Sequence, residues 1–110
     1  MLDPIANKLS QYMDLLSARQ KLVATNIANV DTPNYRTQDI DFASALQSAI
    51  NTQTPSIIER DDLPMKTDGN NVSLDRESRL LAENALRFNM ASNLMKSQLR
   101  MVKSAIQEGR

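Results

Sequence analysis

Two stretches of this chain repeat apolar residues every seven positions, and each is too long to be wrapped by the rest of the molecule. Leu9, Leu16, Val23 and Val30 recur at that interval near the start, with Ile5, Tyr12, Met13 and Ile27 in adjoining positions. Leu74, Leu81, Phe88, Met95 and Val102 recur in the same way toward the end. Such a repeat marks helices that pack side by side along their length. At ~1.5 Å per residue, about 27 helical residues in the first stretch span roughly 40 Å and about 35 in the second roughly 50 Å. A chain of 110 residues buries only about two thirds of its unfolded surface, so no large core is available to cover them. The expected fold is all-α, with the long N-terminal and C-terminal helices paired as an antiparallel coiled coil and joined by a short helix and an extended acidic loop. Residues 1–31, 32–72 and 73–110 are the three segments of what reads as one domain.

The two stripes differ. The first is interrupted at Arg19, Gln20 and Asn26, which makes its seam polar in the middle. The second is flanked by Ala85, Leu99 and Ile106 on one side and Leu80, Leu94 and Met101 on the other, wider than one partner helix covers. Leftover apolar surface points to further helix partners in an oligomer. Met90, Met95 and Met101 suit a surface that fits several neighbours, or plain core filling. The packing residues so identified are Leu9, Leu16, Val23, Val30, Leu81, Phe88, Met95, Leu99, Val102 and Ile106.

Local signals set the ends of these helices. Asp3 caps a helix whose first residue is Pro4, where the missing N–H is harmless. Pro33 disfavours helical backbone at Thr32, so the helix ends at or shortly before Asp31. Thr32-Pro33-Asn34-Tyr35 fits a type II turn, with Asn34 taking the positive φ of the third position. Phe42, Ala43, Leu46 and Ile50 line one side of a short helix capped by Asp41, and residues 51–56 break it. Ile57 and Ile58 are compatible with a short extended segment, too brief to assign as a strand. Residues 59–71 read as an exposed acidic loop or arm. Ser73 caps the second long helix, Asp75 and Glu77 oppose its dipole, and Gly109 ends it.

Composition narrows the function. Cysteine and histidine are both absent, which removes thiol and imidazole catalysis, disulfides and the usual zinc ligand sets. Asp39 with Asp41, and Asp61 with Asp62, are the close carboxylate pairs outside the helix start, and they read as solvated surface acids rather than an acid/base site. Asp68-Gly69-Asn70-Asn71 lacks the spacing and closing glutamate of a calcium loop. Asn71-Val72-Ser73 matches a glycosylation sequon too short to carry weight. No metal, cofactor or enzymatic activity is expected. Net charge is zero, so no bulk attraction to nucleic acid or membrane is expected either. The distribution is uneven: residues 1–36, 37–73 and 74–110 carry net +1, −4 and +3. Lys96, Arg100 and Lys103 form a basic strip on one helix face, and one reading pairs it with the acidic middle of another copy. No stretch reaches the roughly 20 apolar residues of a membrane span, and Met1-Leu2-Asp3-Pro4-Ile5 does not read as a cleavable secretory signal.

Ala24-Thr25-Asn26-Ile27-Ala28-Asn29-Val30-Asp31-Thr32-Pro33-Asn34-Tyr35-Arg36 closely resembles the signature of flagellar axial proteins, the rod, hook and hook-associated families. Those typically read Asn-Ile-Ala-Asn, two residues, Thr-Pro-Gly-Tyr. Asp39-Ile40-Asp41-Phe42, then Gly69-Asn70-Asn71-Val72 with Asp75, Glu77 and Leu81-Ala82-Glu83-Asn84, resemble the proximal rod proteins of FlgB type. Asn34 departs from the usual glycine, and Ser73 from a frequent acid. The resemblance implies a structural subunit of the bacterial flagellar basal-body rod, assembling with itself and other rod proteins near the membrane-ring and export-gate junction. It implies export without a cleaved signal and polymerisation in the periplasm, without membrane insertion. Asn26, Ile27, Ala28, Asn29, Asp31, Thr32, Pro33, Asn34 and Tyr35 would be its assembly motif. The alternatives are the sister proximal rod protein of FlgC type and a cytoplasmic helical adaptor or chaperone.

Overall fold

A computed structural model describes residues 4–49 and 56–109. The expected Asp3 cap, the Ile50 end of the short helix, the break over residues 51–55 and the reading of residues 1–3 lie outside them. The element order is α1 (Pro4–Ala28), β1 (Gln38–Ile40), α2 (Phe42–Ala49), β2 (Ile57–Glu59) and α3 (Leu74–Glu108). The all-α expectation is thereby amended, because β1 and β2 pair as an antiparallel ribbon with Gln38 opposite Glu59, Asp39 opposite Ile58 and Ile40 opposite Ile57. Strands this short carry no sequence period of their own. They form because α1 supplies the surface on which Ile40 is buried.

The two long helices lie antiparallel. Asn26 of α1 meets Glu77 of α3, Gln20 meets Asn84, and Leu9 and Tyr12 share a surface groove with Ala91 and Leu94. The molecule measures 68 × 26 × 17 Å, and its radius of gyration is 17.9 Å, against roughly 13 Å for a compact chain of this length.

α1 packs on two sides. Toward the ribbon and α2, Leu15, Ile40 and Ala45 form a buried cluster closed by Ala18, Leu22 and Phe42. Tyr12 meets the Phe42 ring edge-on at 5.8 Å between centroids, and the Arg19 guanidinium lies 5.8 Å from the centre of the same ring. The buried side of α2 is therefore Ala45 with half-buried Phe42, whereas Ala43 and Leu46 are exposed. Asp41 caps α2 as expected, its carboxylate accepting from the Ser44 N–H and Oγ and its carbonyl from the Ala45 N–H. Toward α3, Leu16 and Val23 are buried.

On α3 the fully buried residues are Glu77, Asn84 and Ala91, and Phe88 lies beside them, sharing a surface groove with Leu16 and Gln20 of α1. Polar Gln20 and Asn26 on α1 select polar partners on α3, and burying a polar group without such a partner is costly. Leu81, Phe88, Leu99, Val102 and Ile106 remain exposed, Leu9 and Met95 are half-buried, and Val30 is half-buried in the turns beyond α1. Ser73 caps α3 in extended conformation with its Oγ accepting from the Arg76 N–H. At the other end the Gly109 N–H donates to the Ala105 carbonyl.

Candidate functional site

The turn that ends α1 is the centre of a buried polar knot. After Ala28 the chain passes through successive tight turns, with Asn29 N–H donating to Thr25 O, Val30 N–H to Ile27 O and Thr32 N–H to Asn29 O. Tyr35 N–H donates to Thr32 O at 3.2 Å, and Asn34 sits at φ 65. Proline cannot take positive φ, so a positive φ confined to the third position makes this the type II turn that the Thr-Pro-Asn-Tyr order calls for. The turn is gripped from the second half of the chain. Asn34 N–H donates to Asp68 O, and Gly69 at φ +86 lies so close that a Cβ there would stand 2.3 Å from Asn34 Oδ1. Glycine at 69 is thus required twice, by its backbone angle and by its neighbour.

Asn26 is the hub. Its side chain is 1% exposed and uses all of its hydrogen-bonding capacity. Nδ2 donates to Gln38 O at 2.8 Å and to Glu77 Oε1 at 3.3 Å, while Oδ1 accepts from Tyr35 Oη at 3.1 Å and Gln38 N–H at 3.0 Å. One amide therefore ties the last turn of α1 to the post-turn segment, β1 and the first turn of α3. Asn29 closes its own turn, with Nδ2 on Thr25 O and Oδ1 accepting from Thr32 Oγ1. Asn70 clamps the same turn from outside: Nδ2 donates to Asn29 O and Thr32 O, both at 2.8 Å, and Oδ1 accepts from Val72 N–H. Asn71 accepts from Thr37 N–H at 2.6 Å and donates to Arg60 O.

A charged layer sits beside the hub. Asp39, 3% exposed, takes a bidentate contact from Arg19 at 3.0 Å and a 2.7 Å bond from Arg76, with Arg60 at 3.7 Å. Burial alone would raise its pKa; the Arg19 and Arg76 hydrogen bonds and the Ile40 N–H outweigh that and hold it below the ordinary carboxylate range. Glu77 is fully buried. Its Oε1 accepts from Arg76 at 2.8 Å and from Asn26, while Oε2 has no partner among the described residues. Burial pushes the Glu77 pKa up despite those donors, and burial with the nearby Glu77 charge pushes Tyr35 up.

These positions correct two sequence readings and bear on a third. Asp39 is not a solvated surface acid; Asp41, Asp61 and Asp62 are exposed. Residues 59–71 are not a uniformly exposed arm, because Asn70 and Asn71 are buried. The Asn71 amide is committed on both sides, which leaves the sequon closed. Of the expected motif, Asn26, Asn29, Thr32, Asn34 and Tyr35 contribute side chains or backbone to the knot, whereas Asp31 and Pro33 are exposed on its surface. Ile27 is half-buried and Ala28 exposed at the helix end. Sequence reasoning missed Arg19, Thr37, Asp39, Asn70 and Arg76. The signal for Arg19 was available, since a charge that interrupts an apolar stripe asks for a buried counter-charge.

The sequence profile of a family described as "Flagella basal body rod protein" matches residues 13–36, the part of α1 and the turn that carries Arg19, Gln20, Asn26 and Tyr35. The flagellar basal body rod protein FlgB of Escherichia coli K12 is 31% identical across 98% of this chain and 96% of its own length. The chain belongs to the FlgB family of flagellar basal body rod proteins. FlgB of Salmonella typhimurium is 29% identical over the same shares of the two chains, and FlgB of Borrelia hermsii 30% identical over 87% of this chain and 90% of its own. The alignment with E. coli FlgB, at 134 positions, is longer than this chain, so that FlgB has residues without a counterpart here. In this FlgB-family chain the flagellar signature is a hydrogen-bonded joint rather than a loose helix stop. No helix among the described residues is long and apolar enough to cross a membrane.

Proposed function

We propose that this chain is a structural subunit of the proximal part of the bacterial flagellar rod, a non-enzymatic part of the shaft that transmits torque for motility. The observation that carries the reading is the near full-length relation to FlgB proteins, together with an α3 whose apolar flanks stand uncovered. A subunit that leaves Leu81, Phe88, Leu94, Leu99, Val102 and Ile106 between 38% and 64% exposed gains the rest of their burial by association. At ~25 cal/mol per Å², such side chains contribute about 1.5–3 kcal/mol each when fully buried. Heterologous contacts that do not close into a ring extend as a helical tube. Coiled-coil packing of α1 and α3, with residues 1–110 acting as one rod-core domain, is completed in this reading by helices of neighbouring subunits.

Assembly in the periplasm after export by the flagellar secretion route, next to the membrane ring and export gate, belongs to the same proposal. The relatives described above carry the FlgB name, which favours it over the FlgC alternative. The paired helices alone are equally compatible with a cytoplasmic adaptor. Deleting the gene should abolish swimming with neither rod nor hook assembled, and the intact gene should restore both. Rods and hooks of normal form in the deletion strain would refute the proposal, and secretion independent of the flagellar export apparatus would refute its periplasmic part.

A further inference from the structure

The two edges of the β1–β2 ribbon differ. In an antiparallel pair, residues that exchange backbone hydrogen bonds with the partner strand alternate with residues whose N–H and C=O point away from it. Arg60 N–H donates to Thr37 O at 2.8 Å, which fixes the alternation. Asp39 and Ile58, the next pair of that kind, exchange bonds, and Gln38, Ile40, Ile57 and Glu59 turn their backbone groups outward. On the β1 side the outward Gln38 groups are closed by Asn26, whose amide accepts from the N–H at 3.0 Å and donates to the C=O at 2.8 Å. A side-chain amide thus stands there in place of a further strand. On the β2 side the outward N–H and C=O groups of Ile57 and Glu59 have no hydrogen-bond partner among the described residues.

The open edge runs beside a groove. Side chains alternate along a strand, so Ile57 and Glu59 share one face of β2 and Ile58 takes the other. Ile57, 61% exposed, borders a groove of about 510 Å³ lined by Ala18, Leu22 and Ile40, with exposed Asp14 and Lys21 among them. Ile40 is buried opposite Ile57, so α1 covers β1 and the groove opens beside β2. Glu59 is exposed and has no ion pair among the described residues. Edge strands are commonly blunted by proline or lysine. β2, Ile57-Ile58-Glu59, is short but carries neither.

We propose that β2 receives an extended segment of a different protein as a third strand of the ribbon. Main-chain hydrogen bonds to Ile57 and Glu59 hold the segment, as in other cases of strand addition to an open sheet edge. An apolar residue opposite Ile57 enters the groove beside Leu22, and a basic residue two positions away faces Glu59. The partner is therefore a segment that arrives extended, with an apolar and a basic side chain on one face. A second copy of this chain fits less well. Its β1 edge is closed by Asn26, and β2 against β2 in full register sets each Ile57 opposite a Glu59, apolar against acid. The proposal does not rest on the rod-subunit reading and does not involve the exposed sides of α3.

The probe is the synthetic peptide Thr-Lys-Thr-Val-Thr-Lys-Thr, which offers a valine and a basic residue two positions away in either strand direction. Titrated into the isotope-labelled full chain, it should shift the amide resonances of Ile57, Ile58 and Glu59 and those of Ala18 and Leu22. At saturation it should slow amide hydrogen exchange at Ile57 and Glu59 by at least about tenfold. The same peptide N-methylated at every residue should do neither. Glu59→Pro removes one outward N–H and leaves the bonds to β1 in place. It should weaken binding about fivefold more than Glu59→Ala, which keeps that N–H. A protected Ile58 amide in the proline variant shows that the ribbon persists, and the N-methylated peptide tests the same bonds from the partner's side. No shift at these amides up to about 5 mM peptide would overturn the proposal. Equal binding by the N-methylated peptide, or by Glu59→Pro and Glu59→Ala, would do the same. Shifts of these amides on concentrating the protein without peptide would assign the edge to a second copy and also overturn it. The rod reading is judged separately, by rod and hook assembly in the complemented deletion strain, and stands whichever way the peptide experiment falls.

Discussion

Asn26→Asp is the sharpest test of the knot, because it changes almost no volume. The carboxylate keeps both acceptor roles, to Tyr35 Oη and Gln38 N–H. It loses both donors, so Gln38 O is left without its 2.8 Å bond and Glu77 Oε1 without its 3.3 Å bond. Two like charges then face each other at about that second distance. At an effective dielectric of about 20 their repulsion is roughly 5 kcal/mol. Proton uptake limits the damage: keeping a carboxyl neutral at pH 7, about three units above its ordinary pKa, costs about 4 kcal/mol. The expected loss at pH 7 is therefore about 3–5 kcal/mol, a large part of a domain's typical total of about 5–15 kcal/mol. Because the new carboxyl's folded pKa is raised, the loss shrinks as pH falls, by up to about 1.4 kcal/mol per unit. Asn26→Ala removes the same donors without adding charge and should cost about 2–4 kcal/mol with much weaker pH dependence. Urea unfolding followed by far-UV circular dichroism at pH 5, 6 and 7 separates the two. An Asp variant within about 1 kcal/mol of wild type at pH 7 would refute the reasoning, as would parallel pH profiles for Asp and Ala.

Gly69→Ala, with a Cβ driven to 2.3 Å from Asn34 Oδ1 at φ +86, should destabilise by about 1–3 kcal/mol in the same unfolding assay; a neutral result would mean that the Asn34 turn yields freely. Asp39→Asn strands the guanidinium groups of Arg19 and Arg76 and should cost about 3 kcal/mol near neutrality. Since the Asp39 pKa is depressed by folding, this contribution is present above the ordinary carboxylate range and lost as pH falls through the depressed value, so the variant should flatten the acid limb of a stability–pH curve. Glu77 has the opposite sign: its raised pKa makes the ionised form a burden at neutral pH that is relieved as pH falls toward the ordinary range. Glu77→Gln should accordingly cost less than about 1 kcal/mol at pH 7 and abolish that relief. Pro33→Ala and Asn34→Val should impair assembly more than helix content, read by swimming and by circular dichroism of the purified chain; equal losses would reduce the turn to a plain helix terminator.

The long helices, their antiparallel pairing, the Ser73 and Asp41 caps and the Asn34 turn were legible because each rests on local chemistry or on a repeat. The ribbon was not, since three residues per strand give no period and Ile58 is exposed despite its apolar side chain. The seam between α1 and α3 was legible only in part. Apolar repetition identified Leu81, Phe88 and Val102 as packing residues, and within one chain they stay partly exposed, Phe88 on the edge of the groove against Leu16. The fully buried α3 residues are Glu77, Asn84 and Ala91, which no apolar repeat marks. Asp39 was misread because its cover comes from Arg19, Arg60 and Arg76, 20, 21 and 37 positions away, and no spacing rule joins them. Asn26 and Asn29, weak helix formers inside a helical stretch, were the visible sign that the local cost is offset elsewhere.

The polar rungs of that seam also act as a gauge. Leucine stripes can slide past each other by a turn and find nearly equal contacts, whereas Asn26 against Glu77 and Gln20 against Asn84 lose their hydrogen bonds on any slip. A one-turn slip moves the free end of α3 by about 5.4 Å. Were subunits to stack into a rod as proposed, that error would be passed to every later joint, and these two hydrogen-bonded pairs would then fix the step of growth.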